Sequence, residues 1–344
     1  MNKVISREKK WEIINGDSLN ILKSIPNSSI QSSISSPPYF NLRDYNNLNE
    51  IGSEKNPKDY IENIIEIYKE VKRVLRRDGT CWINIGDKYT VNTSYKDLDL
   101  KGKDLIGLPW ELARTLRKDR WHLRQMIPWV KQNALPENVN DRPNNSIEYI
   151  IFLSKNKNYY YDMEGAKECL GIKRNWRNGD CLLFMDVPTQ KSYHNHPSTM
   201  PKELVKIMIK TSTSEKGCCS ICKTPLKRII EKKRIPPPNV LSKSKYYQGK
   251  SKNSITSLSS YDPKDRRKTT IIDTIGWNFS CNCNTKKTIK QIIIDPFSGS
   301  GTTGTISLEL NRSYIGIELS KEYTDKSIKR LKEKEKTLLE EISF

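Results

Sequence analysis

Asp295-Pro-Phe-Ser-Gly-Ser-Gly-Thr-Thr-Gly304 is a glycine-rich turn set between the apolar run Ile292 to Ile294 and an apolar-periodic run over residues 305–310. A short β-branched run, then a glycine turn, then helical spacing is how a strand feeds a helix in an α/β sheet, with backbone N–H groups turned toward a ligand. The turn reads as a cofactor cradle. Gly304 stands three residues after Gly301, so spacing alone admits a dinucleotide. Two features argue for another ligand: the Asp295-Pro-Phe297 lead-in, and Ser35-Ser36-Pro37-Pro38-Tyr39 about 250 residues upstream.

The chain of 344 residues suffices for one large domain or a domain with an insertion. Its 35% hydrophobic and 29% charged residues describe a soluble globular protein with polar excursions. No apolar run approaches the roughly 20 residues of a membrane span. Met1 to Arg7 has no apolar signal core behind it, so a cytoplasmic protein with no membrane partner is expected. A formal net charge of +20 attracts polyanions, which makes nucleic acid the favoured partner; solvated lysines that bind nothing are the alternative.

Read in order, the chain alternates strands with helices. Residues 11–15 suit a strand, and Gly16-Asp17-Ser18 opens a helix through Leu19, Leu22 and Ile25. Asp17 either accepts bonds from a ligand or simply caps that helix. Residues 30–35 read as the next strand, residues 60–75 as a helix ended by Asp78-Gly79, and residues 80–85 as a strand. A helix over 108–116, strands over 123–130 and 146–153, and a helix over 204–209 follow. The strand over 313–318 ends in Glu318, about twenty residues past the first glycine of the turn, where a carboxylate can take both ribose hydroxyls of an adenosine cofactor. Residues 321–341 read as an amphipathic surface helix. The alternation predicts a mostly parallel sheet with covered faces.

Ser36-Pro37-Pro38-Tyr39 has a chemical logic. The lone pair of a base's exocyclic amine is delocalised into the ring, so a site that alkylates it must pull that density back with acceptors. Ser36 Oγ and the Pro37 carbonyl, in a segment where two prolines fix the backbone and remove donors, suit the two amine hydrogens. Tyr39 offers a face on which an extruded base can stack. Arg142, in a polar loop over 136–145, is a candidate phosphate contact. Lys173, Arg174, Trp176 and Arg177 mix cations with a ring, suited to phosphate contact and base stacking or to a plain basic connection.

Of eight cysteines, Cys81, Cys169 and Cys181 stand alone. Cys219-Ser-Ile-Cys222 and Cys281-Asn-Cys283 supply four thiolates for a tetrahedral Zn²⁺, two knuckles closing a loop of nearly sixty residues, with Cys218 a register competitor for Cys219. Buried free thiols are the alternative. Residues 232–261 hold no acid and read as a mobile loop.

Together, Ser36 to Tyr39 and Asp295 to Gly304 resemble the signature motifs of the β-class amino methyltransferases of DNA, of restriction-modification type. In that arrangement the catalytic motif precedes the motif for S-adenosyl-L-methionine (AdoMet), and the likeness covers nearly the whole chain. It implies a circularly permuted, Rossmann-like α/β sheet, mostly parallel with one antiparallel strand, here carrying a zinc-ribbon-like insertion. Residues 1–164 would be the catalytic half, 165–195 a DNA-recognition region, 196–214 a cofactor-closing segment and helix, 215–290 the zinc-binding basic insertion and 291–344 the AdoMet half. The resemblance further implies that Asp295, Phe297, Gly299, Gly301 and Thr302 line AdoMet, Glu318 takes its ribose, Asp17 faces its adenine, and Thr199 and Pro201 close its methionine end. Ser36, Pro37, Pro38 and Tyr39 would hold a base flipped from double-stranded DNA. Serine at position 36 is the form commonest among cytosine-N4 enzymes; adenine N6, and a non-catalytic zinc-bearing DNA-binding protein, are the alternatives. A companion restriction endonuclease is an expected partner. The insertion follows the His196 segment, whereas the family's recognition region precedes it, so either could read the DNA.

Overall fold

The computed structural model describes residues 2–41, 51–90, 95, 99–131, 134, 136–169, 200–235 and 269–342. Its strands are β1 (Trp11–Asn15), β2 (Ile30–Ser35), β3 (Leu75–Gly86), β4 (His122–Val130), β5 (Ile147–Ser154), β6 (Cys218–Cys219), β7 (Lys227–Ile235), β8 (Thr269–Asn278), β9 (Thr288–Ile289), β10 (Ile292–Asp295) and β11 (Ser313–Glu318). The helices are α1 (Ser18–Ser24), α2 (Pro57–Val74), α3 (Leu108–Lys118), α4 (Met163–Cys169), α5 (Lys202–Ser212), α6 (Thr302–Glu309) and α7 (Lys321–Ile342).

Seven strands make the central sheet, in the order β1-β11-β10-β2-β3-β5-β4. The first five run parallel to their neighbours, and β5 lies antiparallel to both β3 and β4. One reversed strand in a parallel sheet is the arrangement the motifs implied. Every residue of β2 and β10 is buried, as expected of central strands covered on both faces. Two of the three serines of β2 are tolerated there because they are small and bonded: Ser35 Oγ meets Tyr68 Oη at 2.8 Å and Ser32 Oγ meets Thr80 Oγ1 at 3.4 Å, while Ser33 Oγ is buried with no hydrogen-bond partner among the described residues.

Two apolar layers sandwich the sheet. Leu22, Ile64, Tyr68, Val71 and Leu112 pack with Ile83 and Ile315 on one face. On the other, Val205, Met208, Ile306 and Leu331 pack with Trp82, Ile150 and Tyr314. Gly304 is what lets α6 lie against β11, since a Cβ there would stand 2.6 Å from Tyr314 Cε1 and 2.9 Å from Leu331 Cδ2.

Three expectations are corrected. Helix α2 starts at Pro57 rather than at residue 60, because Asn56 caps it by accepting from Asp59 N at 2.9 Å and proline fits the first helical position. Asp78-Gly79 does not end that helix; α2 stops at Val74 and the chain enters β3 directly. The pair sits in a bulge, where the register jumps from Ile30↔Leu75 to Ser32↔Thr80. Residues 232–235, read as part of a mobile loop, belong to β7, which pairs with β8 into a two-stranded ribbon.

Arg228 anchors that ribbon. Its side chain is 6% exposed, bonded to Asp162 at 3.1 Å and Glu168 at 2.7 Å, 3.5 Å from Glu215, and stacked 4.5 Å over the Trp277 ring. The cysteine knuckle beside it docks at the amino ends of the parallel strands: Arg76, at the start of β3, donates to Cys222 O at 3.1 Å. Ligands of such sheets bind at the opposite, carboxyl ends. Among the described residues, no helix is long and apolar enough to cross a membrane.

Candidate active site

Strands β10 and β2 are parallel neighbours, in register at Ile293↔Ser32 and Ile294↔Ser33. The segments that follow them, Asp295 to Phe297 and Ser36 to Tyr39, therefore leave the sheet side by side, at a strand spacing of about 4.8 Å. Phe297 and Tyr39 rest against the same apolar layer. On the other side of β10, β11 ends at Glu318, and β1 ends with Asn15 opposite Glu318. Four strand ends thus converge on one crevice. Ser18 Oγ donates to the Pro296 carbonyl, tying the turn after β1 to the turn after β10.

The glycine turn is held open by backbone geometry. Gly299 and Gly301 have φ of 51° and 77°, left-handed values that favour glycine, and Gly301 caps α6 with no side chain of its own. Glu318 accepts from Gly299 N at 2.8 Å through one oxygen and from Ser320 N at 2.9 Å through the other. Asp295 accepts from Phe297 N at 3.0 Å. Burial pushes the Asp295 carboxyl up to about 7 and raises that of Glu318, against the hydrogen bonds that lower both. Two acids with raised values at neighbouring strand ends are a functional-site signature. Arg330 braces the turn from α7, donating to Ser300 O at 2.9 Å and to Thr302 Oγ1 at 3.1 Å.

Asp17 caps α1, accepting from Asn20 N at 2.9 Å. It sits at the end of β1 next to Glu318, so capping does not remove it from the crevice. Pro201 is buried at the start of α5. Thr199 lies outside the described residues, as do Lys173, Arg174, Trp176 and Arg177.

At the other half of the crevice, Tyr60 Oη donates to the Pro38 carbonyl at 2.8 Å and fixes the proline segment. The Tyr39 ring lies against Gly86, where a Cβ would stand 3.0 Å from Cε2. Its hydroxyl donates to Glu148 Oε2 at 2.7 Å and accepts from Asn84 Nδ2 at 3.1 Å and from Ser36 Oγ at 3.4 Å. A cleft of about 310 Å³ opens beside this ring, lined by Tyr39, Gly86, Asp87, Tyr89, Arg142 and Asn145 among others. Arg142 stacks 3.6 Å over Tyr89 and pairs with Glu137, so its guanidinium forms the cleft wall instead of reaching out alone. Asp87 supports the same wall by capping α3, accepting from Gly107 N at 3.0 Å and Leu108 N at 3.1 Å.

A DNA methylase family model matches residues 30–219 and 279–329, spanning both halves of this crevice. The chain belongs to the N6/N4 DNA methylase family. It is 32% identical over 93% of its length to the type II methyltransferase M.Cfr9I of Citrobacter freundii, of which it covers 87%. It is 30% identical over 95% of its length to M.SmaI of Serratia marcescens, of which it covers 92%. Among solved structures it is similar to the PvuII DNA methyltransferase described as cytosine-N4-specific, with a TM-score of 0.54, 17% identity and coverage of 94% of this chain and 86% of that one. It is likewise similar to a DNA modification methylase of Thermus thermophilus, described as putative and complexed with S-adenosyl-L-methionine, with a TM-score of 0.53, 17% identity and coverage of 94% and 93%. The methylase is an amino-group DNA methyltransferase of the restriction-modification type.

Sequence reasoning missed the groups beneath the methylase's tyrosine, namely Asn84, Lys131 and Glu148. A signal was present, since Asn84 interrupts the apolar stretch over residues 81–85 and Glu148 is the sole charged residue of β5, but only the pairing of β3 with β5 brings them together.

The structure does gather the four cysteines. The Sγ atoms of Cys219, Cys222, Cys281 and Cys283 all lie within 4.8 Å of one another. Cys218 stands outside this set, its thiol directed at Ile289 O at 3.5 Å. Cys218 and Cys219 pair with Ile289 and Thr288 across β6 and β9, so this short ladder holds the two knuckles face to face.

Proposed function

We propose that this methylase transfers the methyl group of AdoMet to the N4 amine of a cytosine flipped out of double-stranded DNA. The observation that carries the reading is the adjacency of the turns after β2 and β10, one offering Ser36 Oγ and the Pro37 carbonyl as acceptors and the other a glycine turn with left-handed backbone at Gly299 and Gly301. In this reading Gly299, Gly301 and Thr302 cradle the cofactor beside Asp295 and Phe297. Glu318, which now holds Gly299 N, takes the ribose hydroxyls; Asp17 faces the adenine; Thr199 and Pro201 close the methionine end. Ser36 Oγ and the Pro37 carbonyl accept the amine hydrogens, Pro38 stiffens the segment, and Tyr39 walls the base. As the nitrogen bonds to the methyl carbon, the carbon–sulfur bond breaks and the sulfonium leaves as a neutral thioether. The excess proton then departs from nitrogen to solvent. Serine at position 36 supports cytosine over adenine.

The layout is read as circularly permuted, with residues 1–164 and 291–344 forming the two halves of one catalytic domain. Arg142 at the cleft, and Lys173, Arg174, Trp176 and Arg177 in the 165–195 segment, are assigned to DNA contact. The soft donor set Cys219, Cys222, Cys281 and Cys283 fits a structural Zn²⁺ within the 215–290 insertion: zinc–thiolate bonds of about 2.3 Å require sulfurs about 3.8 Å apart, close to the spacing already present. Methylation would protect DNA from a companion restriction endonuclease.

Transfer of a labelled methyl group from AdoMet to mixed-sequence duplex DNA tests the reaction. Incorporation by the parent, with loss in Ser36→Ala while AdoMet affinity stays within about threefold, is expected. Equal incorporation by Ser36→Ala would remove the acceptor role.

A further inference from the structure

Glu148 is the sole acid of β5, and its side chain is only 5% exposed. One oxygen accepts from Tyr39 Oη and from Asn84 Nδ2, both at 2.7 Å, and the other is paired with Lys131, which lies 5.7 Å over the Trp129 ring. Asn84 Oδ1 is buried with no partner among the described residues. The fold gains little from this arrangement, because a buried ion pair and an orphaned carbonyl are seldom more stable than apolar side chains of the same volume. Such a set persists where it serves chemistry.

Its hydrogen bonds run in one direction. Toward Glu148, Lys131 and Asn84 can only donate, so the carboxylate is a pure acceptor and also accepts the Tyr39 O–H hydrogen bond. Burial, reinforced by the Glu148 charge, raises Tyr39 far above the ordinary phenol range, so the proton stays on the ring oxygen. With that proton committed, the Tyr39 oxygen can only accept from Ser36, whose Oγ donates to it at 3.4 Å. The Ser36 proton is thereby turned away from the crevice and its lone pairs toward it.

We infer that Glu148 is a positioning residue for methyl transfer: acting through Tyr39, it fixes Ser36 as an acceptor toward the target amine. This rests on the methyltransferase reading. Glu148→Gln keeps the shape but adds a donor, so the direction of the chain is no longer imposed. Tyr39→Phe cuts the chain while leaving Glu148 bonded to Asn84 and Lys131.

The test is steady-state methylation of duplex DNA by the full chain and by Glu148→Gln, Tyr39→Phe and the double variant, with AdoMet affinity measured by calorimetry. The expected result is a fall in kcat of about tenfold or more for Glu148→Gln, the difference between a charged and a neutral acceptor. KM for DNA and AdoMet affinity should move less than threefold, and Glu148→Gln should have no further effect in the Tyr39→Phe background. Full kcat in Glu148→Gln, or losses that multiply in the double variant, would overturn the inference. Should Glu148→Gln fail to fold, Tyr39→Phe alone decides: unchanged kcat sinks the proposal. A parent chain that methylates no duplex would instead bring down the methyltransferase reading itself.

Discussion

Replacing Asp295 with Asn should stabilise the protein at neutral pH while impairing its site. Burial raises the Asp295 carboxyl from 3.8 to about 7. The folded state therefore holds this proton more tightly than the unfolded chain does. The stability so gained is fully present below about pH 4 and is lost as pH rises through about 7. A shift of roughly 3 units at 1.36 kcal/mol each gives an upper bound near 4 kcal/mol, so about 2–4 kcal/mol is expected in practice. Asn loses little in exchange, since its Oδ1 still accepts from Phe297 N and its amide can donate to Thr303, the hydroxyl that now donates to the carboxylate. Urea unfolding of parent and Asp295→Asn from pH 4.5 to 8.5 measures the effect, and subtracting the two curves cancels every titration they share. The variant's advantage should grow from at most about 1 kcal/mol at pH 4.5 to about 2–4 kcal/mol above pH 7.5. A difference that stays flat across this range would show that Asp295 is not protonated by burial, and the electrostatic account of the crevice would fall with it.

Gly299→Val should abolish AdoMet binding in calorimetry with the fold retained, because φ of 51° disfavours a branched side chain and the backbone must approach the cofactor there; unchanged affinity would misplace the cradle. Arg228→Met leaves Asp162, 7% exposed, without its cation, and should lower stability by about 3–5 kcal/mol in urea; adding Asp162→Asn should restore much of that, and a neutral single variant would contradict it. Elemental analysis should find one zinc per chain, lost in Cys219→Ser with Cys281→Ser; the unchanged content of Cys218→Ser separates ligand from neighbour.

Much of the active crevice was legible because its parts are local. The β10 turn declares itself through β-branched residues, glycines at positive φ and helical spacing within some twenty positions, and β11 ends at Glu318 as its pattern requires. The order of catalytic and cofactor motifs then implied a parallel sheet with one reversed strand, which β5 provides. What escaped is long-range. No pattern near Glu148 says that it will face Gly86 across an antiparallel ladder and so reach Tyr39. The Asp78-Gly79 pair has turn chemistry that the sheet overrides, taking it into β3 as a bulge. Arg142 was legible as a cation beside the crevice, but not its stacking on Tyr89, which depends on where two loops come to lie. The ribbon of β7 and β8 was hidden by the low-complexity stretch between them, whose basic composition masked the alternation at its ends.

Nucleoside mass spectrometry of duplex DNA incubated with the protein and AdoMet addresses most directly whether the turns after β2 and β10 form one methyl-transfer centre acting on an exocyclic amine. The account predicts N4-methylcytosine, absent without AdoMet and sharply reduced with Ser36→Ala. N6-methyladenine alone would contradict the choice of base, and DNA returned with no methylated base would contradict the centre itself.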